Sequence, residues 1–304
     1  MPTTKTASPQ KYSFMKKLLF GTAGIPHSSK NNSSIEGIKR VKKLGLKCME
    51  LEFVQGVRIN EEMAMEVAKV AKENNIILSV HAPYFINFNS PDKKKIYASR
   101  HRLIQSARIG HLCGAISVVF HPGFYMGKKK SDVYKVMKQE IMQIIKVLKD
   151  EDNPVQLRPE VTGKMSSFGD LGEVLRLSRE IENVLPCIDF AHLHARTGSY
   201  NSYDEFYNVL KFIADELGKD ALQEMHIHVA GIQYGPKGER KHLNLKESDL
   251  DHVDLLKALN DFDVKGTVIC ESPNLEEDAL LLQKKFKSLS SRRKEVILNG
   301  RLRV

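Results

Sequence analysis

The sequence predicts an α/β protein built as a single (β/α)8 TIM barrel. Three observations carry this expectation. Short apolar runs alternate with segments of helical spacing. Roughly eight such strand-then-helix units fit into about 280 residues, the size and rhythm of such a barrel. Most of the apolar runs end on one polar residue just before a turn, where barrel strands deliver side chains to a common face.

The elements follow in order. After a polar first dozen residues, Leu18, Leu19 and Phe20 form an apolar run that stops at Gly21-Thr22-Ala23-Gly24. Ile35, Ile38 and Val41 give Ser34 to Lys43 helical spacing. Cys48 to Val54 is the second strand, and a helix from Asn60 to Glu73 follows, with Asn60 as N-cap ahead of Glu61 and Glu62. The third strand (Ile76, Ile77, Leu78, Val80) closes on His81, and Pro83 stops its pairing before the aromatic loop Tyr84 to Phe88. A long helix from about Asp92 to Leu112 leads to Ile116–Phe120 and then His121-Pro122-Gly123. Ser131 to Leu148 is helical, and Val155 to Arg158 is a strand ending at Pro159-Glu160. Leu171 to Ile181 is helical, Leu185 to Ile188 is a strand ending at Asp189, and Tyr203 to Leu217 is helical. Glu224 to Val229 carries His226 and His228. Gly231 to Asn244 is Gly-rich and has no pattern of its own, a length of loop that is usually functional or mobile. Leu250 to Leu259 is helical, Gly266 to Cys270 is a strand ending at Glu271, and Glu276 to Phe286 closes the series.

Composition bounds the rest. The chain has 304 residues, 41% hydrophobic and 28% charged, and no Trp, which is the profile of a soluble globular protein. No apolar run approaches the roughly 20 residues of a membrane span, so no membrane partner is expected. The N-terminal MPTTKTASPQKYSFMKK has no apolar stretch of the kind a secretory signal needs. Cys48, Cys113, Cys187 and Cys270 are far apart and sit mostly in apolar runs, as core thiols of a reducing, cytoplasmic compartment do. A doubly wound sheet is the competing fold, but no GxGxxG follows the first strand. No linker interrupts the alternation. Three segments are therefore expected: a disordered extension over 1–15, a barrel over 16–289, and a basic tail over 290–304. The net charge of +10 favours an anionic partner such as nucleic acid. Part of it lies in Lys128-Lys129-Lys130, Lys284-Lys285 and Arg292-Arg293-Lys294.

The strand ends collect His81, His121, Glu160, Asp189, His226 and Glu271. His192 lies three residues past Asp189, and Glu239 and His242 lie in the long loop. One histidine at a strand end is more often capped or solvated than functional. Two of them, each ending an apolar run ahead of a proline, reverse that balance. Imidazoles and carboxylates converging without thiolates describe a Zn2+ or Mn2+ site. These candidates are too many for one ion but suit two or three bridged by carboxylates. Phosphoryl transfer is the chemistry that most needs clustered divalent ions.

The segments SVHAPYFINFNSP, FHPG, RPEVTG, IDFAH and ESP, in this order, resemble the endonuclease IV family, the TIM-barrel apurinic/apyrimidinic endonucleases of base-excision repair. The likeness runs from about Leu18 to Phe286. It implies a trinuclear zinc site in which His81 and His121, with Glu160 as bridge, hold one ion. Glu160, Asp189, His226 and Glu271 would hold a second, and His192 with Glu239 and His242 a third. His194 and His228 fall on positions without a ligand role. The chain departs from the family in three places: His226-Ile227-His228-Val229 stands for its His-x-Asn-Asp, Glu239-Arg240-Lys241-His242 for its Asp-x-His, and Glu160-Val161 for its Glu-Asn.

The activity implied is hydrolysis of double-stranded DNA on the 5′ side of an abasic site, with 3′-blocked ends as further substrates. Glu160 would orient the attacking hydroxide, leaving a 3′-OH and a 5′-deoxyribose phosphate. Tyr84, on the family's DNA-contacting aromatic, and Phe85 would wedge into the duplex. Arg58, Arg196, Lys237 and Arg240 would hold phosphates. A monomer suits a protein that must clamp a duplex. The alternatives are a metal-dependent sugar isomerase or epimerase on the same barrel, and a DNA-binding homologue that has lost catalysis.

Overall fold

The structure, a computed structural model, describes residues 15–301, with side chains through Ser291. Eight parallel strands form the expected barrel: β1 (Leu18–Ala23), β2 (Cys48–Glu52), β3 (Ile77–His81), β4 (Ser117–Phe120), β5 (Gln156–Pro159), β6 (Cys187–Asp189), β7 (Met225–Val229) and β10 (Gly266–Cys270). Their order is β5-β4-β3-β2-β1-β10-β7-β6. Parallel bridges Leu157↔Val184 and Glu160↔Cys187 join the two ends and close the cylinder.

Helices wrap this cylinder: α1 (Ser34–Lys43), α2 (Glu61–Asn74), α3 (Lys93–Leu112), α4 (Lys130–Asp150), α5 (Leu171–Glu180), α6 (Phe190–Thr197), α7 (Tyr203–Leu217), α8 (His252–Asp261) and α9 (Glu276–Arg301). Each lays an apolar stripe on the strands, as Ile38 and Val41 do in α1, Ile141 and Ile144 in α4, and Leu255 and Leu259 in α8, all fully buried. Full burial of such a side chain stabilises by about 1.5–3 kcal/mol. Asn60 caps α2 as expected, its side chain accepting from the Met63 amide at 2.9 Å. All four cysteines are free and buried.

Three expectations change. The stretch from Gly231 to Asn244 is not patternless: it folds as an antiparallel hairpin of β8 (Gly231–Gly235) and β9 (Gly238–Leu243). Hairpin strands with polar, glycine-rich sequence lack the apolar alternation by which strands are read. A short helix, α6, follows β6 directly, and Asp189 is its N-cap. α9 carries the chain to Arg301, past the boundary expected at residue 290. Residues 1–14, nearly all of the expected extension, and 302–304 lie outside the described residues. No helix among the described residues is long and apolar enough to cross a membrane.

Candidate metal centre at the barrel mouth

The strand ends bring their polar residues together around Glu160, which is fully buried. His81, at the tip of β3, donates from Nδ1 to the Ala82 carbonyl (2.8 Å), which leaves Nε2 facing Glu160 Oε2 at 3.1 Å. His121 Nε2 reaches the same oxygen at 2.8 Å. His81, His121 and Glu160 thus form one donor group.

Asp189 and His192 are set by the start of α6. The Asp189 side chain accepts from the His192 amide at 2.6 Å, which fixes the histidine three residues on. His192 Nδ1 donates to the Val161 carbonyl at 3.1 Å. Its Nε2 lone pair faces His242 Nε2 at 3.3 Å and Glu239 Oε2 at 3.5 Å. His242 in turn donates from Nδ1 to the Glu271 carbonyl at 3.3 Å. Two imidazole nitrogens this close share either a proton or a cation. Two nitrogens each about 2.0–2.1 Å from a tetrahedral ion stand about 3.3 Å apart.

The hairpin makes this third group possible. Glu239 and His242 are three residues apart and would face opposite sides of a regular strand. Tyr234 pairs with Glu239 and Gln233 with Lys241, so Arg240 is one extra residue and the register shifts there. That bulge turns both side chains toward the site, a common use of bulges beside functional centres. Lys241 faces out with Gln233; both are exposed. The hairpin docks on the loop after β5, where the Glu239 amide donates to the Gly163 carbonyl at 2.9 Å. A Cβ on Gly163 would lie 2.7 Å from Glu239 Cβ and 3.0 Å from His192 Cδ2. Gly163→Val is therefore expected to displace the hairpin and lower the number of bound ions by one, read by elemental analysis, without emptying the groups around Glu160.

In β7 the structure brings His228, not His226, to the cluster. His228 Nδ1 lies 3.2 Å from Glu271 Oε1 and 3.5 Å from Glu160 Oε1. Glu160, Asp189, His228 and Glu271 form the second donor group. Both histidines point into the barrel because they are two residues apart on one strand, and His228 is nearer the mouth. His226 lies deeper, with Nε2 3.0 Å from Glu50 Oε2 and Nδ1 3.0 Å from Thr267 Oγ1. Matching motifs by position alone does not register this difference in depth.

The donor set fits divalent ions. Glu160 Oε1, Asp189 Oδ2, His121 Nε2 and His228 Nδ1 are buried and lack a hydrogen-bond partner, although ligand-type atoms crowd them. Burial alone would raise the Glu160 carboxyl, but His121, His228 and His192 outweigh it and hold the group well below the usual range. Glu160 is thus an anion hemmed by imidazoles, ready to bridge cations. For Asp189, burial prevails over His192 and pushes the carboxyl up to about 6.

The expected DNA contacts sort into two kinds. Tyr84 (53% exposed) and Phe85 (68% exposed) stand at the mouth, and the Tyr84 ring lies 5.2 Å from that of His81. Arg58 donates to Gln55, while Lys237 and Arg240 are exposed on the hairpin. Arg196 does not face a phosphate path. It is buried and donates to the carbonyls of Thr162 (2.9 Å), Lys164 (2.7 Å) and Ser167 (3.0 Å), which clamps the loop that carries Gly163. Glu50 and Glu52 escaped the sequence reading because β2 passed for a plain strand. Their spacing of two inside an apolar run was the available signal, since it sends both carboxylates to the same face.

A family profile described as a xylose isomerase-like TIM barrel matches residues 38–291. An uncharacterized protein of Methanocaldococcus jannaschii is 45% identical over 273 residues, 90% of this chain and 98% of its own length. A probable endonuclease 4 of Mycoplasma genitalium is 25% identical over 217 residues, 70% of this chain and 72% of its own. Among solved structures, endonuclease IV from Thermus thermophilus superposes with a TM-score of 0.69 at 16% identity, covering 89% of this chain and 99% of that one. A D-tagatose 3-epimerase-like protein gives 0.66 at 15% identity, covering 90% and 99%. Likeness at these structural identities concerns the fold.

Proposed function

The chain belongs to the xylose isomerase-like TIM-barrel family, and within it we propose that this protein is a metal-dependent endonuclease that cuts double-stranded DNA on the 5′ side of abasic sites. The observation that carries the proposal is the shared position of Glu160. It belongs to two donor groups and touches the histidine of the third, His192, at 3.0 Å. A set of this extent suits two or three ions, Zn2+ or Mn2+. The similarity to probable endonuclease 4 proteins supports the same class.

His81, His121, Glu160, Asp189, His192, His228, Glu239, His242 and Glu271 would hold the ions. Bound there, divalent ions supply charge stabilisation at a phosphoryl oxygen and lower the pKa of water to about 7. Glu160 orients the attacking water along the line to phosphorus. Tyr84 and Phe85 enter the duplex at the lesion and keep the baseless sugar turned toward the cavity, whose volume is about 280 Å³. Arg58, Lys237 and Arg240 track phosphates, so affinity falls as salt rises. The protein acts as a monomer on duplexes with abasic or 3′-blocked lesions.

The test is a duplex carrying one abasic analogue, incubated with protein supplied with Zn2+ or Mn2+. One cut 5′ to the lesion, leaving a 3′-OH, is expected; an intact duplex overturns the proposal. One observation favours a second reading. Glu160, Asp189, His228 and Glu271 alone complete a four-ligand site for a single ion, the arrangement a sugar epimerase would need. Turnover of a free ketose with one ion per chain would select that reading.

A further inference from the structure

The interior of a barrel of this kind is normally filled by layers of branched apolar side chains. Here one layer holds a carboxylate. Glu50, on β2, is wholly inaccessible to solvent, and so are His226, His228, Ser79 and Thr267 to within 2%. Ser79 Oγ donates to Glu50 Oε2 at 2.7 Å, and His226 Nε2 lies 3.0 Å from the same oxygen. Glu50 Oε1 lies 2.8 Å from His228 Nε2, which also stands 3.3 Å from His226 Nε2.

We propose that Glu50 is a positioning residue for the metal centre, holding His228 in the orientation and tautomer in which its Nδ1 serves the cluster; this rests on the metal-dependent reading of that site. The imidazole of His228 spans two environments. Nε2 faces Glu50, while Nδ1 faces Glu271 Oε1 at 3.2 Å and Glu160 Oε1 at 3.5 Å. A neutral imidazole carries one N–H, and a carboxylate at Nε2 keeps it there, which leaves the Nδ1 lone pair directed at the centre. A carboxylate behind a histidine ligand also makes the ligand more basic. His226 has the supporting part. Its ring packs 5.2 Å from that of His228, and Thr267 fixes its far nitrogen at 3.0 Å. With Ser79 it pins the second oxygen of Glu50, so the carboxylate cannot rotate away from His228. The pair His226-Ile227-His228 thus divides its labour: the deeper histidine holds the carboxylate, and the outer one meets the ions.

A different use of the same residues must be separated from this one. Cys187 lies close enough to His226 and His228 for the three to hold an ion of their own. Metal-free protein is titrated with Zn2+ against a competing chelator, and ions per chain are counted at saturation. Co2+-loaded protein is followed by visible absorption, and unfolding of the metal-free forms by calorimetry. Glu50→Gln is expected to weaken the affinity for one ion by about 10–100-fold, to leave the saturating count unchanged, and to alter the Co2+ spectrum. Glu50→Asp should recover part of the affinity. Either change lowers the metal-free Tm, because a buried carboxylate with three close polar partners is lost or shortened, but the other ions should keep their affinity. Wild-type affinity in Glu50→Gln overturns the proposal. So does a lower metal-free Tm with every ion weakened alike, which marks a packing role. A saturating count lower by one in His226→Gln or Cys187→Ala overturns it as well, in favour of an inner ion. None of these readouts uses DNA, so failure of the protein to incise an abasic duplex leaves them to be judged separately.

Discussion

Glu160→Gln is expected to lower kcat/KM on an abasic duplex by at least about a thousandfold, or about 4 kcal/mol of transition-state stabilisation. The expectation follows from how much converges on one side chain. Glu160 Oε2 meets His81 and His121, and Oε1 meets His192 and His228, within 2.8–3.5 Å. An amide keeps the shape but loses the negative charge and one acceptor, so it cannot bridge two cations. Single-turnover incision and ion content, measured on the same preparation, check this. Loss of incision with ions retained assigns Glu160 mainly to orienting water. Incision within tenfold of the unmutated protein removes Glu160 from the chemistry.

Removing the ions should abolish activity and lower Tm by on the order of 10 °C, with both restored by Zn2+ or Mn2+. An ion present at about a thousand times its Kd stabilises by about 4 kcal/mol, and for a chain of this size about 2–4 °C accompanies each kcal/mol. The metal-free protein should also respond to pH. Burial lowers the His81 imidazolium, but Glu160 and Glu52 outweigh it and push the group from 6.5 up to about 10. A folded-state pKa above the unfolded one gives stability that is complete below about pH 6.5 and lost as pH rises through about 10. The metal-free form should therefore weaken on alkaline titration, while metal affinity rises over the same range as protons stop competing. Calorimetry of both forms between pH 6 and 10 reads both trends. A metal-free Tm equal to that of the loaded protein at every pH contradicts them.

Much of this was legible in the sequence, and what was not has identifiable causes. The barrel was readable because parallel strands buried on both faces are continuous apolar runs, and Pro83 and Pro122 mark where two of them stop. His81, His121, Glu160, Asp189 and Glu271 stood out as the polar residues ending such runs. The choice between His226 and His228 was not readable, because both face inward and only their depth in the barrel separates them. The hairpin hid for a different reason. Glu239 and His242 share a face only through the bulge at Arg240, and a bulge leaves no periodicity in a polar strand. Arg196 looked like a phosphate ligand by charge alone, and the loop carbonyls that consume its hydrogen bonds come from residues about thirty positions earlier in the chain. Glu50 was hidden inside a run that reads as ordinary strand.

The most direct test of a multi-ion hydrolytic centre is the number of ions each chain carries. Protein purified without chelator and dialysed against trace Zn2+ or Mn2+ is analysed by elemental mass spectrometry against its amino-acid content. Two or three ions per chain are expected, one fewer in His242→Ala, and none or one in Glu160→Ala. A single ion in the unmutated protein, retained in His242→Ala, or no ion at all, contradicts it.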